Sequence, residues 1–325
     1  MAAQLNPAPL GPPELVDLQR VSAHDLDALL LEEVAAWREK LDWDFGKSAE
    51  LVRRFVDVRA LSGSALLARG RVVGYLYYVL EDQKGLIGDL FVTSGYRGEA
   101  EDRLLAAAVE RILENPQVSR IESQLLMLEH EPGRVLPRAH YASAFDRNFM
   151  RVELGSAALA EGHVRRPTYL ENWSDHYQDA AAQLIAEAYR GHVDSRINDQ
   201  YRSVAGARRF LFNIVQYPGC GTFFRPGSFA AFEGGTGKLC GISLASLVAQ
   251  TCGHITQICV SPEVHGTGIG HALLRRSLIT LRDMGCRAAT LTVTSANQEA
   301  VSLYERVGFH TVRRFSAYAW EGFAS

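Results

Sequence analysis

Ser261–Leu281 reads SPEVHGTGIGHALLRRSLITL, and it sets Gly266, Gly268 and Gly270 directly before an amphipathic stretch with Leu274, Leu278 and Leu281 at i, i+4, i+7. A glycine in a helix interior costs about 1 kcal/mol relative to alanine, so the cluster needs a reason. One reading is a flexible loop that precedes a helix. The other is a backbone cradle, in which successive N–H groups and the helix dipole hold an anion. The flanking sequence bears on the choice.

Upstream, SFAAFE, KLCGISLASLVAQ and HITQICVSP read as consecutive strands joined by tight turns. Downstream, the helix meets Gly285, a plausible C-terminal cap, and then CRAATLTVTS, a strand. SANQEAVSLYERVGF is a short helix ended by Gly308, and HTVRRFSAYAW closes the half as a strand. Ser295 and Gln298 have the spacing of a capping box for the short helix.

The first half repeats this order. GRVVGYLYYVL resembles GKLCGISLASL, with Gly74 to Gly241 a shift of 167 residues, and Val92 to Val260 a shift of 168. SRIESQLLML falls over CRAATLTVTS in the same register. Three matches in register indicate a tandem duplication, with the join in the small, polar stretch Gly155 to Thr168.

At 325 residues two domains are expected. A formal charge of -3 argues against a nucleic-acid binder that works through phosphate contacts. The N-terminal stretch MAAQLNPAPLGPPELVDL lacks a leader pattern, and no run reaches the roughly 18 apolar residues that span a bilayer. The cysteines, Cys220, Cys240, Cys252, Cys259 and Cys286, are odd in number and never spaced CxxC. Disulfides and a metal site are therefore not expected, and a reducing cytoplasm fits.

Two familiar glycine patterns fail. A dinucleotide fingerprint would need glycine or alanine where His271 stands, and EGGTGKL carries Phe232 and Leu239 where a phosphate loop has Gly and Ser or Thr. The second reads better as a hairpin turn.

The combination V-x-P-x-x-H-G-T-G-I-G, after a strand and opening a helix, resembles the acetyl-CoA signature of the GCN5-related N-acetyltransferases, Q/R-x-x-G-x-G/A. His265, Gly266, Thr267, Gly268, Ile269 and Gly270 occupy it. N-x-x-A-x-x-L-Y-x-x-x-G-F, from Asn297 through Ala300, Leu303 and Tyr304 to Gly308 and Phe309, is similar to the same family. The resemblance covers the second half and, weakly, the first. It implies an α/β fold of the α+β type: two tandem domains, residues 1–160 and 166–325, each a mixed, mostly antiparallel sheet flanked by helices.

What the resemblance implies for function is acetyl transfer from acetyl-CoA directly to a primary amine, on a small molecule or a peptide, in the second domain. Neither a metal, a nucleic acid nor a membrane is called for. His265 through Gly270, with His271, would hold the pyrophosphate; Ile258, Cys259 and Val260 would meet pantetheine between two splayed strands, and Asn297 and Tyr304 would complete the cofactor side. Tyr304, with an ordinary phenol pKa near 10, suits protonation of the leaving thiolate; packing against the sheet would explain it too. Cys259 reads equally as a small strand residue. HITQICV has no carboxylate where the family often supplies a base, so His254 is the nearest titratable group, as a base acting through water or as a histidine at the strand edge. Tyr189, His192, Asp194, Asn198 and Tyr201 either line an acceptor pocket or belong to a solvated loop. A non-catalytic acyl-CoA sensor, or a transferase using another acyl group or nucleophile, fits the same letters.

In the first half Tyr96–Leu105 aligns with the cradle, but Glu99, Glu101 and Asp102 would set carboxylates against a pyrophosphate. The prolines after LLML preclude the aligned Asn-to-Tyr helix. That half is expected to have lost coenzyme A. WREKLDWDF, Trp37 to Phe45, reads as a helix end or a substrate contact.

Overall fold

The computed structural model describes residues 12–323 except Pro218; the leader reading of the first eleven residues lies outside them. The chain divides into two compact units. One holds residues up to Glu33, Ala49–Ala142 and the end from Trp320; the other holds Val34–Ser48 and Ser143–Ala319. The units are a different division from the sequence halves, because Ser143 onward joins the second unit well before the duplicated segment begins.

In the first unit the sheet runs β1 (Glu14–Asp17), β2 (Ser62–Ala68), β3 (Arg71–Glu81), β4 (Lys84–Val92) and β5 (Arg120–Gln124), in that order. Neighbours are antiparallel except β4 and β5, which pair parallel from Lys84↔Arg120 to Ile87↔Ser123. Helices α1 (Ala23–Leu41) and α2 (Gly46–Asp57) precede β2, and α3 (Glu99–Leu113) connects β4 to β5. After β5 the chain has no α-helix before β6 (Ala142–Glu153), as the prolines there demand.

In the second unit the sheet order is β13 (His310–Glu321), β6, β12 (Ala288–Thr294), β11 (Cys252–Val260), β10 (Leu239–Ala249), β9 (Phe229–Glu233) and β7 (Thr168–Asn172), with the short β8 (Thr222–Phe223) on β10. The EGGTGKL stretch is the β9–β10 hairpin, in register Leu239↔Phe232. Helix α7 (Ile269–Asp283) buries Leu273, Leu274, Leu278 and Leu281 completely, each worth about 1.5–3 kcal/mol. Gly285, at φ 95, follows its C-terminus as the sequence foretells. On the opposite face α4 (Gln178–Ala188) and α6 (Val204–Gln216) pack Ala181, Ile185, Ala207 and Leu211 against Ile242 and Leu244. The stretch between Glu153 and β7 lies along the same unit: Ala158 N donates to Val307 O and Arg165 N to Thr267 O, both at 2.9 Å.

One irregularity positions the site. Strands β11 and β12 pair parallel from Cys252↔Ala288 to Ile255↔Leu291 and there the pairing stops, although both strands continue. At the same point β10 pairs Leu244 with Gln257 but Ala245 with Ile255, so Thr256 is an extra residue in β11. A β-bulge bends its strand and raises its twist, which turns the rest of β11 away from β12. The first unit has the same device: Gly88 is the extra residue between Tyr77↔Asp89 and Tyr78↔Ile87, where the β4–β5 pairing ends.

Among the described residues no helix is long and apolar enough to cross a membrane. Trp37, Trp43 and Phe45 are buried, with Trp37 stacked on Phe45 at 4.6 Å and Trp43 against His254 at 5.0 Å. The apolar residues of WREKLDWDF are therefore core, at and after the end of α1, while Arg38, Glu39 and Asp44 are exposed.

Candidate functional site

The parted strands of the second unit open a cleft of about 780 Å³, within the range of small-molecule sites. Its walls are Ile255–Val260 of β11, Leu291–Val293 of β12, the glycine cluster, the segment Ala188–His192 with Asp194 and Tyr201, and Asn297, Ala300 and Tyr304. Arg147 of β6 also reaches it.

The cradle is built by backbone conformation. Gly266 and Gly268 have φ of 71 and 94, the left-handed region that only glycine adopts freely. Gly268 is the N-cap of α7, and the first N–H to bond back along the helix is that of Ala272, to Gly268 O at 3.0 Å. The preceding first-turn N–H groups have no intrahelical acceptor and point out of the helix end. His265 stands exposed beside them, its Nδ1 3.6 Å from Glu299 Oε1. His265, Gly266, Gly268, Ile269, Gly270 and His271 all line the cleft. Thr267 does not: its Oγ1 donates to Val264 O at 2.6 Å and its carbonyl accepts from Arg165.

Helix α8 (Gln298–Val307) supplies the other rim. Asn297, not Ser295, is its N-cap: Oδ1 accepts from Ala300 N at 3.2 Å, while Gln298 Nε2 turns back to Ser295 O. The expected Ser295–Gln298 capping box is thus replaced by an asparagine cap. Asn297, Ala300 and Tyr304 share the face toward the cleft. Burial, with Asp194 nearby, pushes the Tyr304 phenol well above its ordinary range, so it holds its proton at neutral pH. Its hydroxyl has no hydrogen-bond partner among the described residues.

Opposite α8, a polar cluster hangs from the α4 end and from α5 (Asp194–Ile197). Gln257, buried on β11, donates through Nε2 to the Tyr189 hydroxyl at 2.9 Å and accepts from the Tyr201 hydroxyl at 3.2 Å. The two tyrosine rings stack at 4.3 Å, and burial raises both phenols. Thr294 Oγ1 donates to Asp194 Oδ1. His192 lies between Asp194 and Asn297, 3.2 Å from Asn297 Nδ2.

Of the acceptor residues expected from sequence, Tyr189, His192, Asp194 and Tyr201 line the cleft. Asn198 does not; its Oδ1 accepts from Gln200 N and caps a local turn. His254 is placed away from the cleft as well. It is buried against Trp43 and Phe149 with Nδ1 2.9 Å from Thr290 Oγ1, and burial drives its pKa down to about 3. A ring so enclosed has no path to an amine in the cleft, so the base reading of His254 is not supported. Ile258, Cys259 and Val260 do line it. Burial pushes the Cys259 thiol up to about 12, which leaves it protonated and unreactive. Gln257 and Arg147 were not foreseen. A lone buried amide in an apolar strand was the available signal for Gln257; Arg147 comes from the other half of the sequence and gives none. Among the described residues no group of three or more His, Cys, Asp or Glu could hold a metal ion.

Residues 165–309 match the acetyltransferase (GNAT) family. A mycothiol acetyltransferase of Propionibacterium freudenreichii subsp. shermanii is 37% identical over 67 residues, 21% of this chain and 22% of that protein. One from Thermobispora bispora is 37% identical over 93 residues, 27% of this chain and 31% of that protein. The aligned stretches thus span under a third of these relatives' length. The GCN5-related N-acetyltransferase structure from Sphaerobacter thermophilus shares the fold over 96% of this chain and 97% of its own, with TM-score 0.68 and 17% identity. A tandem GNAT protein from the clavulanic acid biosynthesis pathway covers 95% of this chain and 98% of its own, with TM-score 0.58 and 18% identity.

Proposed function

With residues 165–309 a domain of the acetyltransferase (GNAT) family, we propose that this chain transfers the acetyl group of acetyl-CoA to a primary amine in the cleft of the second unit. The observation that carries the reading is the parting of β11 from β12 beyond Ile255 and Leu291, directly above the cradle of α7. The unpaired edge of β11 offers backbone groups to a pantetheine arm, and the first-turn N–H groups of α7 suit its pyrophosphate.

In this reading a neutral amine attacks the thioester carbonyl without an acyl-enzyme, so the protonated Cys259 takes no part. A backbone N–H of β11 polarises the carbonyl. Tyr304 gives its proton to the departing thiolate. The acceptor enters beside Tyr189, Tyr201 and Asp194 and is a small-molecule or peptide amine. The relatives named mycothiol acetyltransferase make acceptors of that chemistry the first to assay.

Calorimetric titration with acetyl-CoA tests the reading, with Gly270→Glu as the control. Gly270 takes a helical φ, and a Cβ there would meet only Val260 Cγ2, at 3.6 Å, so the substitution sets a carboxylate at the cradle without straining the backbone. Binding by the intact chain that Gly270→Glu abolishes supports the site; no binding by the intact chain refutes it.

A further inference from the structure

We propose that His192, set by Asp194, is the group that takes the proton from the attacking amine; this rests on the transferase reading above. Strand β11 has no carboxylate facing the cleft, and His254 is sealed in the core. Of the cleft's other titratable groups, His265 beside Glu299 and His271 in the first turn of α7 stand at the cradle, on the side of the pyrophosphate, and the tyrosines and Cys259 hold their protons. His192 is on the acceptor side.

Three elements place it. Its ring meets that of Tyr189 edge-on at 5.3 Å, and Tyr189 is tied to Gln257 on β11. Nε2 faces Nδ2 of Asn297 at 3.2 Å, at the start of α8. Nδ1 lies 3.2 Å from Asp194 N and 3.7 Å from Asp194 Oδ2, and Asp194 is held by Thr294 at the end of β12. The imidazole is therefore suspended across the mouth formed by the two parted strands. Its side chain is 30% exposed and that of Asp194 is 13% exposed, so the ring is reachable while the carboxylate is sheltered.

The neighbours suit a base. The Asp194 N–H and the Asn297 amide both present hydrogens to the ring, and only one can bond to the single lone pair of neutral imidazole. The Asp194 carboxylate, 3.7 Å from Nδ1, stands where positive charge would develop on the ring. Charged and titratable groups around the pair are Tyr189 and Arg190 from the α4 end, Tyr201, Arg147 on β6 and Tyr304 on α8. The amine nitrogen forms the new C–N bond as C–S breaks; its proton passes to His192, and that of Tyr304 passes to sulfur. Solvent then removes the first proton and restores the second, leaving amide and free thiol.

The test follows coenzyme A thiol release from acetyl-CoA with a panel of primary amines (amino-acid esters, amino sugars and polyamines), across pH, for the intact chain, His192→Gln and Asp194→Asn. His192→Gln is expected to lower kcat by about 10²-fold or more. Calorimetry should show acetyl-CoA affinity unchanged. Asp194→Asn, which keeps the side chain's shape but removes the charge beside the ring, should lower kcat by about tenfold or more and leave acetyl-CoA affinity unchanged. A His192→Gln rate within about threefold of the intact chain at every pH overturns the proposal. So does a variant that has also lost acetyl-CoA, since the residue would then be structural. An intact chain that binds acetyl-CoA but acetylates no amine of the panel sinks the transferase reading and the proposal together, whereas the first two outcomes leave that reading standing.

Discussion

A Cβ on Gly268 would stand 2.5 Å from the carbonyl oxygen of His163. Two requirements therefore meet at one residue: a left-handed backbone, at φ 94, and close approach of the segment before β7. Gly266 has only the first, since nothing lies within 4 Å of its Cβ position. Gly266→Ala should cost about 1–2 kcal/mol, and Gly268→Ala distinctly more, with loss of acetyl-CoA binding. Denaturant unfolding of the two variants checks the order; equal costs would mean that the segment at His163 yields freely.

Tyr304→Phe separates chemistry from packing. The hydroxyl has no partner among the described residues, so its removal should leave stability and acetyl-CoA affinity unchanged. Turnover should fall about 10²-fold. Full activity in the variant would dismiss Tyr304 as the acid.

His254 gives a pH dependence of stability. Its pKa is near 3 in the folded chain and near 6.5 when unfolded, so the unfolded chain binds the proton first on acidification. The contribution is complete above about pH 6.5 and is lost as pH falls toward 3, at up to about 1.4 kcal/mol per pH unit. His254→Phe fits beside Trp43 and Phe149, and Thr290 keeps its bond to Gly253 O. It should flatten the stability curve by one proton between about pH 6 and 4. An unchanged slope would assign the acid sensitivity to other groups.

The first unit should take up no acetyl-CoA, so titration should end at one equivalent. There the helix start that matches the cradle is closed by its own side chain: Gly98 N donates to Glu101 Oε2 at 3.3 Å, and Glu101 is buried beside Arg134 at 3.5 Å. A carboxylate already sits where an anion would bind. Two equivalents would contradict this.

The strands and helices from Phe229 to Glu321 are legible in the sequence because their signals are local: alternation, leucines at helical spacing, and glycines at helix ends. The cleft is legible as far as those signals extend, to the glycines, Asn297 and Tyr304. What stayed hidden depends on distant chain. His254 reads as a strand residue open to an amine until Trp43, 211 positions earlier in the sequence, is seen to cover it. Asn297 serves as the cap in place of Ser295, and its amide also meets His192, a partner from the turn between α4 and α5. Neither contact leaves a mark on its neighbours.

The added residue in β11 also changes the strand's parity. Before Thr256, odd-numbered positions face α7: a side chain at Gly253 would run into Leu281, and Ile255 packs with Leu274 and Leu278. After it the even-numbered ones do, with Ile258 and Val260 on that side and Gln257 and Cys259 facing α4. A strand of unbroken alternation would send Gln257 into the leucines of α7 and leave Tyr189 and Tyr201 without their common partner. The count of residues here is thus an address: it decides which side of the sheet meets the acceptor. Both copies keep that count, at Gly88 and at Thr256, although their side chains at the site have gone separate ways.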